Sequence, residues 1–312
     1  MEKKQFEITD ENVAYYAGEI GGWIRKQVLD ANRKGVIFGM SGGIDCSVAA
    51  RLCQAGGVDV HLVLMPYGDD MERTHSLDHA MELITKFAIP YHIFDIKPAV
   101  DALLSDRFAS NQAVLELSQA NIRPRIRMTY LYQLAQMSDR FILGTGNLAE
   151  RTVGYFTKWG DGACDINPMA MLTKQEVYTL ARYLGIPDCI IRKKPSADLW
   201  EGQTDEDDLG LTYPQIDAFI LKGTSGSTEI DNSIRQRMAS SAHKFAPIPA
   251  FDVRIGEAGE TGETGETGEA GEIREMEENQ VSSASPSPPI SSISPASPVS
   301  PASPASPVSP AF

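Results

Sequence analysis

Gly39-Met40-Ser41-Gly42-Gly43-Ile44-Asp45-Cys46 decides how this chain is read. It follows the apolar run Val36-Ile37-Phe38 and leads into a helix-forming stretch from Ser47 to Leu52. A strand that turns through glycines into a helix N-terminus is suited to hold phosphate. The glycines let the backbone approach an anion, and unpaired amides with the helix dipole attract it. A Walker loop would carry a Lys here, and none is present. Asp45 stands just beyond the glycines instead. A carboxylate beside a phosphate cradle repels its ligand unless a hard cation lies between them, so Mg2+ is implied.

Outward from this turn the pattern repeats. Val13, Ala17, Ile20, Ile24 and Val28 recur at helical spacing and predict an opening amphipathic helix. His61-Leu62-Val63-Leu64-Met65, Tyr91-His92-Ile93-Phe94-Asp95 and Phe141-Ile142-Leu143 read as further strands. Leu77, Ala80, Met81, Ile84 and Phe87 mark a helix between the first two, and residues 111–137 a long one before the last. Strands alternating with helices define the α/β class: a parallel sheet covered by helices on both faces. Ligands of such sheets bind beyond the carboxyl ends of the strands. The glycine turn and Gly144-Thr145-Gly146 both follow strands, so both are expected to open on that edge. Thr173-Lys174-Gln175-Glu176 is a capping box ahead of Val177, Leu180, Ala181 and Leu184, with Gly185 and Pro187 ending the helix. Lys174 thus falls in a first turn, where the dipole disfavours a cation. Either it is solvated or it reaches an anionic ligand.

The 312 residues carry a net charge of −14. Residues 251–312 hold ten acidic and two basic side chains, a net −8, which leaves −6 for residues 1–250. That balance argues against non-specific nucleic-acid binding. Residues 1–250 have ordinary globular composition and are expected to form the working domain. Residues 256–272 run in Gly-X-Y period with Glu recurring at one position and no Pro, and residues 282–310 repeat Ser-Pro-Ala and Ser-Pro-Val. Collagen needs Pro in many triplets, so the expectation for residues 251–312 is an acidic, disordered, extended tail without a catalytic part. Cys46, Cys53, Cys164 and Cys189 show no zinc spacing and no disulfide framework, which suits a reduced cytoplasm. The N-terminus lacks the apolar core of a signal peptide, and no run is long enough to span a membrane.

The stretch 39–46 resembles the PP-loop, Ser-Gly-Gly-x-Asp-Ser, of the N-type ATP pyrophosphatases, with Cys46 in place of the last Ser. A thiol is the weaker hydrogen-bond donor, but its backbone amide is unchanged, and Ser47 follows with a hydroxyl of its own. Later segments select one family within that group. Gly144-Thr145 with Glu150, and then Tyr155-Phe156-Thr157-Lys158-Trp159-Gly160-Asp161-Gly162, are similar to NAD synthetase family motifs. So are Asn121 to Met128, Lys194 to Trp200, Gly210 to Tyr213 with Ile216-Asp217, and the closing His243-Lys244. The resemblance covers roughly residues 10–250. It implies a Rossmann-like fold of the adenine nucleotide alpha hydrolase kind. It also implies a ligase that adenylates the carboxylate of deamido-NAD with ATP, releases pyrophosphate, and lets ammonia displace AMP to give NAD.

The same resemblance assigns roles. ATP falls to Gly39, Met40, Ser41, Gly42, Gly43, Ile44, Asp45 and Cys46, with Thr145, Lys174 and Ser196. Mg2+ falls to Asp45 and Glu150, and deamido-NAD to Arg125, Lys158, Asp165, His243 and Lys244. Asp45, Lys174 and Asp165 are the implied catalytic residues, Asp165 serving the nicotinate ribose or the ammonia site. Arg123 and Arg127 flank Arg125 and compete for its role, and Trp159 and Tyr155 either stack on a ring or pack in the core. The family implies a homodimer. Only about 35 residues precede the first strand, too few for an amidase domain, so free ammonia or ammonia from a separate protein is expected. Two other readings remain: the same chemistry on a tRNA base or xanthylate, and a non-catalytic module displayed through its tail.

Overall fold

The computed structural model describes residues 6–69, 75–105, 110–196, 202 and 204–251. The expected disordered tail from residue 252 on, and Ala197 to Trp200 of the Lys194–Trp200 motif, lie outside the described residues. Within the compact unit Met1–Ala250 the chain runs α1 (Val13–Asp30), β1 (Gly35–Gly39), α2 (Ile44–Ala55), β2 (Val60–Leu64), α3 (Ser76–Phe87), β3 (Tyr91–Ile93), α4 (Lys97–Asp101), α5 (Gln112–Ser138) and β4 (Arg140–Ile142). Then follow α6 (Leu148–Val153), α7 (Lys174–Tyr183), α8 (Asp188–Arg192), α9 (Asp205–Leu209), α10 (Tyr213–Lys222), α11 (Thr228–Ser241) and a 3-10 turn, Ala242–Lys244. The four strands form one parallel sheet in the order β3-β2-β1-β4. The α/β class read from the sequence is the class found, with strand bounds within two residues of those expected.

The central strand β1 and most of β2 are apolar because both of their faces are covered, while the edge strand β3 is largely exposed. Val36 and Phe38 of β1, with Leu62 and Leu64 of β2, pack under α1, α2, α3 and α7. Ile37, Val63 and Ile142 point the other way, against Ile96, Val100, Met128, Leu131 and Ala135 beside α4 and α5. The period of two along each strand sorts the side chains into these two cores. A third cluster joins Leu148, Ala149 and Val153 of α6 to Leu209, Tyr213, Ile216, Ile220 and Ile234 from the later helices. It anchors the α9–α11 segment against the turn after β4.

The chain builds outward from β1 through β2 to β3, then crosses back to place β4 on the other side of β1. That reversal opens a crevice at the carboxyl ends of β1 and β4, the usual ligand position in such a sheet. Among the described residues no helix is long and apolar enough to cross a membrane.

Candidate active site

The two segments leaving β1 and β4 at this crevice bring together the candidate residues Asp45 and Glu150. After Gly39 the chain turns at Gly42, whose φ of +77° favours glycine and whose Cβ position lies 2.2 Å from the Ser76 carbonyl oxygen. Gly43 then N-caps α2, and no side chain caps that end. The first amides of α2 are therefore left for an anion. Met40, Ile44 and Cys46 are buried, so this turn offers mainly backbone, with Ser41 Oγ beside it accepting from Gly43 N at 3.3 Å. The Cys46 thiol sits 3.3 Å from Ser41 Oγ and donates to the Gly43 carbonyl at 3.2 Å. Ser47 does not offer its hydroxyl to a phosphate. It is buried, and its Oγ donates to the same Gly43 carbonyl at 2.7 Å, satisfying the first turn of the helix.

Asp45 faces the turn after β4. Asn147 N-caps α6 in a capping box: its Oδ1 accepts from Glu150 N at 3.0 Å, and Glu150 Oε2 accepts from Asn147 N at 3.1 Å. The amide nitrogen of Asn147 then donates to both acids, to Asp45 Oδ1 at 2.9 Å and Glu150 Oε1 at 2.7 Å. Two donors on one nitrogen thus fix two carboxylates from separate segments. Thr145 lies half-buried just ahead of this cap, and Ser196 half-buried after α8.

Lys174 completes the group and is not solvated. Only 2 % of its side chain is exposed, and its ammonium lies 2.6 Å from Asp45 Oδ2 and 3.5 Å from Glu150 Oε1. Its place in a helix first turn is explained by what surrounds it. The Asp217 carboxylate accepts from Lys174 N at 3.2 Å and Gln175 N at 2.9 Å, so the amide end of α7 meets negative charge directly. Thr173 and Glu176 form the expected capping box, and Glu176 Oε1 also accepts from Ile8 N at 2.8 Å. Behind Lys174 the Tyr213 ring lies 4.6 Å from the ammonium, and its hydroxyl donates to Asp205 Oδ2 at 2.7 Å while standing 3.4 Å from Glu150 Oε1.

Two acids share one ammonium in a buried setting. Burial, reinforced by Asp45 and opposed by Lys174, pushes the Glu150 carboxyl up to about 8. Burial alone would lower Lys174, but Asp45 and Glu150 outweigh it and hold the ammonium charged. Asp205 is raised, chiefly by burial. The excess of negative charge is what a dication would relieve. Among the described residues no three His, Cys, Asp or Glu side chains converge as a complete metal cage. Two oxygen donors in separate motifs nevertheless suit Mg2+, which keeps most of its ligands as water and phosphate oxygen.

The residues assigned to the second substrate gather around a different loop, Gly154 to Asp165, which carries Lys158 and Asp165 and is met by Arg125 of α5 and by His243 and Lys244 of the 3-10 turn. Arg125, exposed on α5, donates from Nε to the Lys158 carbonyl at 3.3 Å. Arg127 instead donates to the Met65 carbonyl at 2.9 Å, and Arg123 lies over the Tyr67 ring at 4.1 Å, so Arg125 is the arginine at the loop. Lys158 Nζ donates to the His243 carbonyl at 2.7 Å, and Lys244 Nζ to the carbonyls of Gly154 and Phe156 at 2.6 and 2.7 Å. Asp165 Oδ2 accepts from Ile142 N at 2.8 Å, which ties the end of the loop to β4. Tyr155 packs against the third core cluster and donates to Asp208 at 2.8 Å, whereas Trp159 is 60 % exposed with a φ of +64°. A cleft of about 350 Å³ lies between α5 and this loop, lined by Met128, Thr129, Tyr132, Trp159, Gly162 and Cys164 among others.

An uncapped glycine turn, two bridged acids and a buried lysine at the switch point of a parallel sheet define an α/β protein that handles nucleotide phosphates. Residues 16–248 match the NAD synthase family model. The chain is 40 % identical over 224 residues to an NH3-dependent NAD+ synthetase of Carboxydothermus hydrogenoformans, covering 71 % of this chain and 90 % of that one. It is 37 % identical over 246 residues to one of Finegoldia magna, covering 78 % and 99 %. A solved structure described as the NMN synthetase of Francisella tularensis superposes with a TM-score of 0.71 at 36 % identity, covering 78 % of this chain and all of that one. The chain belongs to the NAD synthase family, a family of ligases.

Asn147, Tyr213, Asp205 and Asp217 are absent from the roles the sequence suggests. Tyr213 and Asp217 read there only as parts of a matching segment, and Asn147 lies between Thr145 and Glu150 without a role. No spacing shows that Asn147 bridges two acids or that Asp217 clamps a helix end.

Proposed function

We infer that this chain makes NAD from deamido-NAD, ATP and ammonia. The observation that carries the reading is the pair Asp45 and Glu150, brought to one point by the Asn147 amide and neutralised in part by Lys174. A substrate carboxylate oxygen attacks the α-phosphorus of ATP and the bond to the β-phosphate oxygen breaks, so pyrophosphate leaves and a mixed anhydride forms. Ammonia then attacks the acyl carbon, AMP leaves with the C–O electron pair, and the nitrogen loses a proton. The difficulty is crowded negative charge, so positioning and electrostatic stabilisation supply most of the rate. Mg2+ held by Asp45 and Glu150 would neutralise phosphate charge as it develops on the leaving group. The amides of Gly42 to Cys46 and Ser41 Oγ receive the leaving pyrophosphate, and Lys174 adds its ammonium to the same phosphates. Thr145 and Ser196 supply hydroxyls to ATP. Arg125 and Lys158 hold the second substrate's anionic groups, with His243 at the rim, and Asp165 orients its ribose or the ammonia. Ammonia enters free or from a separate protein. Exposed apolar side chains along α5, among them Val114, Leu117 and Tyr132, favour a homodimer through that helix.

Purified protein with ATP, Mg2+, ammonium and deamido-NAD yields NAD, AMP and pyrophosphate under this reading. The Francisella tularensis likeness favours a second one, in which nicotinate mononucleotide is the acceptor. The two share the adenylation chemistry and differ in kcat/KM when both acids are offered side by side.

A further inference from the structure

Lys244 sits at the end of the compact unit, yet its ammonium is turned inward. It donates to two carbonyls of the Gly154–Asp165 loop, those of Gly154 and Phe156, and lies 4.9 Å from the Phe156 ring. Three neighbours reinforce that contact. Phe245 meets Phe156 edge to face at 5.0 Å, Arg151 lies over Phe245 at 4.9 Å, and the His243 carbonyl accepts from Lys158 Nζ at 2.7 Å. Ser241 packs so tightly on the loop that a Cβ at Gly154, where φ is +68°, would stand 2.1 Å from its Cβ. The other side of the loop is held by Arg125 at the Lys158 carbonyl and by Thr157 Oγ1, which donates to Asn121 Oδ1 at 2.6 Å. Between these ties stand Lys158 and the exposed Trp159, the latter in a left-handed conformation that costs a tryptophan energy and persists only where the surroundings impose it.

We propose that Lys244 is a positioning residue: with Phe245 it latches the Gly154–Gly162 loop so that Lys158 and Trp159 are held ready beside the cleft, and it acts on the second substrate through the loop rather than by touching it. The three donor hydrogens of an ammonium suit this task, because two converging carbonyls can be held at once and the charge strengthens both bonds. Without the ammonium the two carbonyls lose their charged partner, and the strained Trp159 backbone is free to relax. This inference rests on the reading that the loop serves the nicotinate-bearing substrate.

The experiment uses the full chain, with Trp23→Phe and Trp200→Phe leaving Trp159 as the single tryptophan. Lys244→Met is expected to raise KM for the nicotinate substrate roughly ten- to a hundredfold while KM for ATP changes less than about twofold. It is also expected to shift Trp159 emission and increase its quenching by acrylamide with no substrate present. Phe245→Ala, which leaves the ammonium in place, should move both readouts in the same direction by less. An unchanged Trp159 signal in Lys244→Met would overturn the latch, and if KM still rose it would assign Lys244 a direct contact with substrate. Equal rises in both KM values would also overturn it. A parent protein inactive on both nicotinate substrates would remove the functional reading, while the fluorescence arm would still decide the latch.

Discussion

Lys174 Nζ stands 2.6 Å from Asp45 Oδ2, although the two residues are 129 positions apart and Lys174 begins a helix. The ion pair is nearly enclosed, so removing one partner leaves the other charge buried and uncompensated, typically at a cost of about 3–5 kcal/mol. Asp45→Ala should lose about a thousandfold or more in kcat, and Mg2+ titration should no longer restore turnover. Near-normal Mg2+-dependent turnover in Asp45→Ala would remove this carboxylate from metal binding.

Asn147 offers a second test of the same group of side chains. Asn147→Asp keeps an N-cap for α6 but replaces the amide donor between Asp45 and Glu150 with a third negative oxygen. Because Asn147 is fully buried, the added charge beside two acids should lower the melting temperature as well, and activity should fall by about two orders of magnitude. Asn147→Ala should also lose activity, and the missing cap costs it about 1 kcal/mol of stability. Were Asn147→Asp fully active, the bridge would have no part in catalysis.

Cys46→Ser should retain activity within about threefold of the parent, because the glycine turn offers mainly backbone amides and the thiol's contact is to the Gly43 carbonyl, which a hydroxyl can also make. Steady-state KM for ATP is the measurement. A large rise would mean that the thiol itself contacts the nucleotide.

Much of this site is legible in the sequence, and the limit is physical. Asp45 is readable because a carboxylate next to a glycine cradle is an electrostatic anomaly, and Lys174 because a cation in a first turn is another. Both anomalies are local, and the fold resolves both with the same contact. Asn147 carries no such mark, since its capping role is ordinary and its second role depends on Asp45 lying 102 residues away. Tyr213 and Asp217 likewise become partners of Glu150 and Lys174 only when the third cluster docks α10 beside α6 and α7. The sheet was easier to read, because a period of two and glycine-bounded strands are short-range signals.

The pair His61 and His92 adds a pH dependence separate from catalysis. Their rings meet at 3.0 Å between β2 and β3, and His92 Nε2 is buried without a partner. Burial lowers both pKa values, and for His61 the neighbouring His92 lowers it further. A group depressed in the folded state contributes stability above its unfolded pKa, about 6.5, that is lost as pH falls through the folded value. The melting temperature should therefore drop between pH 7 and pH 5, and His92→Phe should show a shallower drop. An identical slope in the variant would remove the pair from the acid response.

Residues 251–312 should be dispensable for turnover. A chain ending at Ala250 should keep kcat/KM within about twofold, since the residues proposed for catalysis and binding all precede that point. A large loss would assign the acidic and Ser-Pro-rich segment a part in catalysis.

The most direct measurement is the identity of the nucleotide product when the full chain turns over deamido-NAD with ATP, Mg2+ and ammonium, resolved by anion-exchange chromatography. AMP should form in a one-to-one ratio with NAD, together with pyrophosphate. ADP and inorganic phosphate in their place would contradict cleavage at the α-phosphorus and with it the role given to the glycine turn and its two acids.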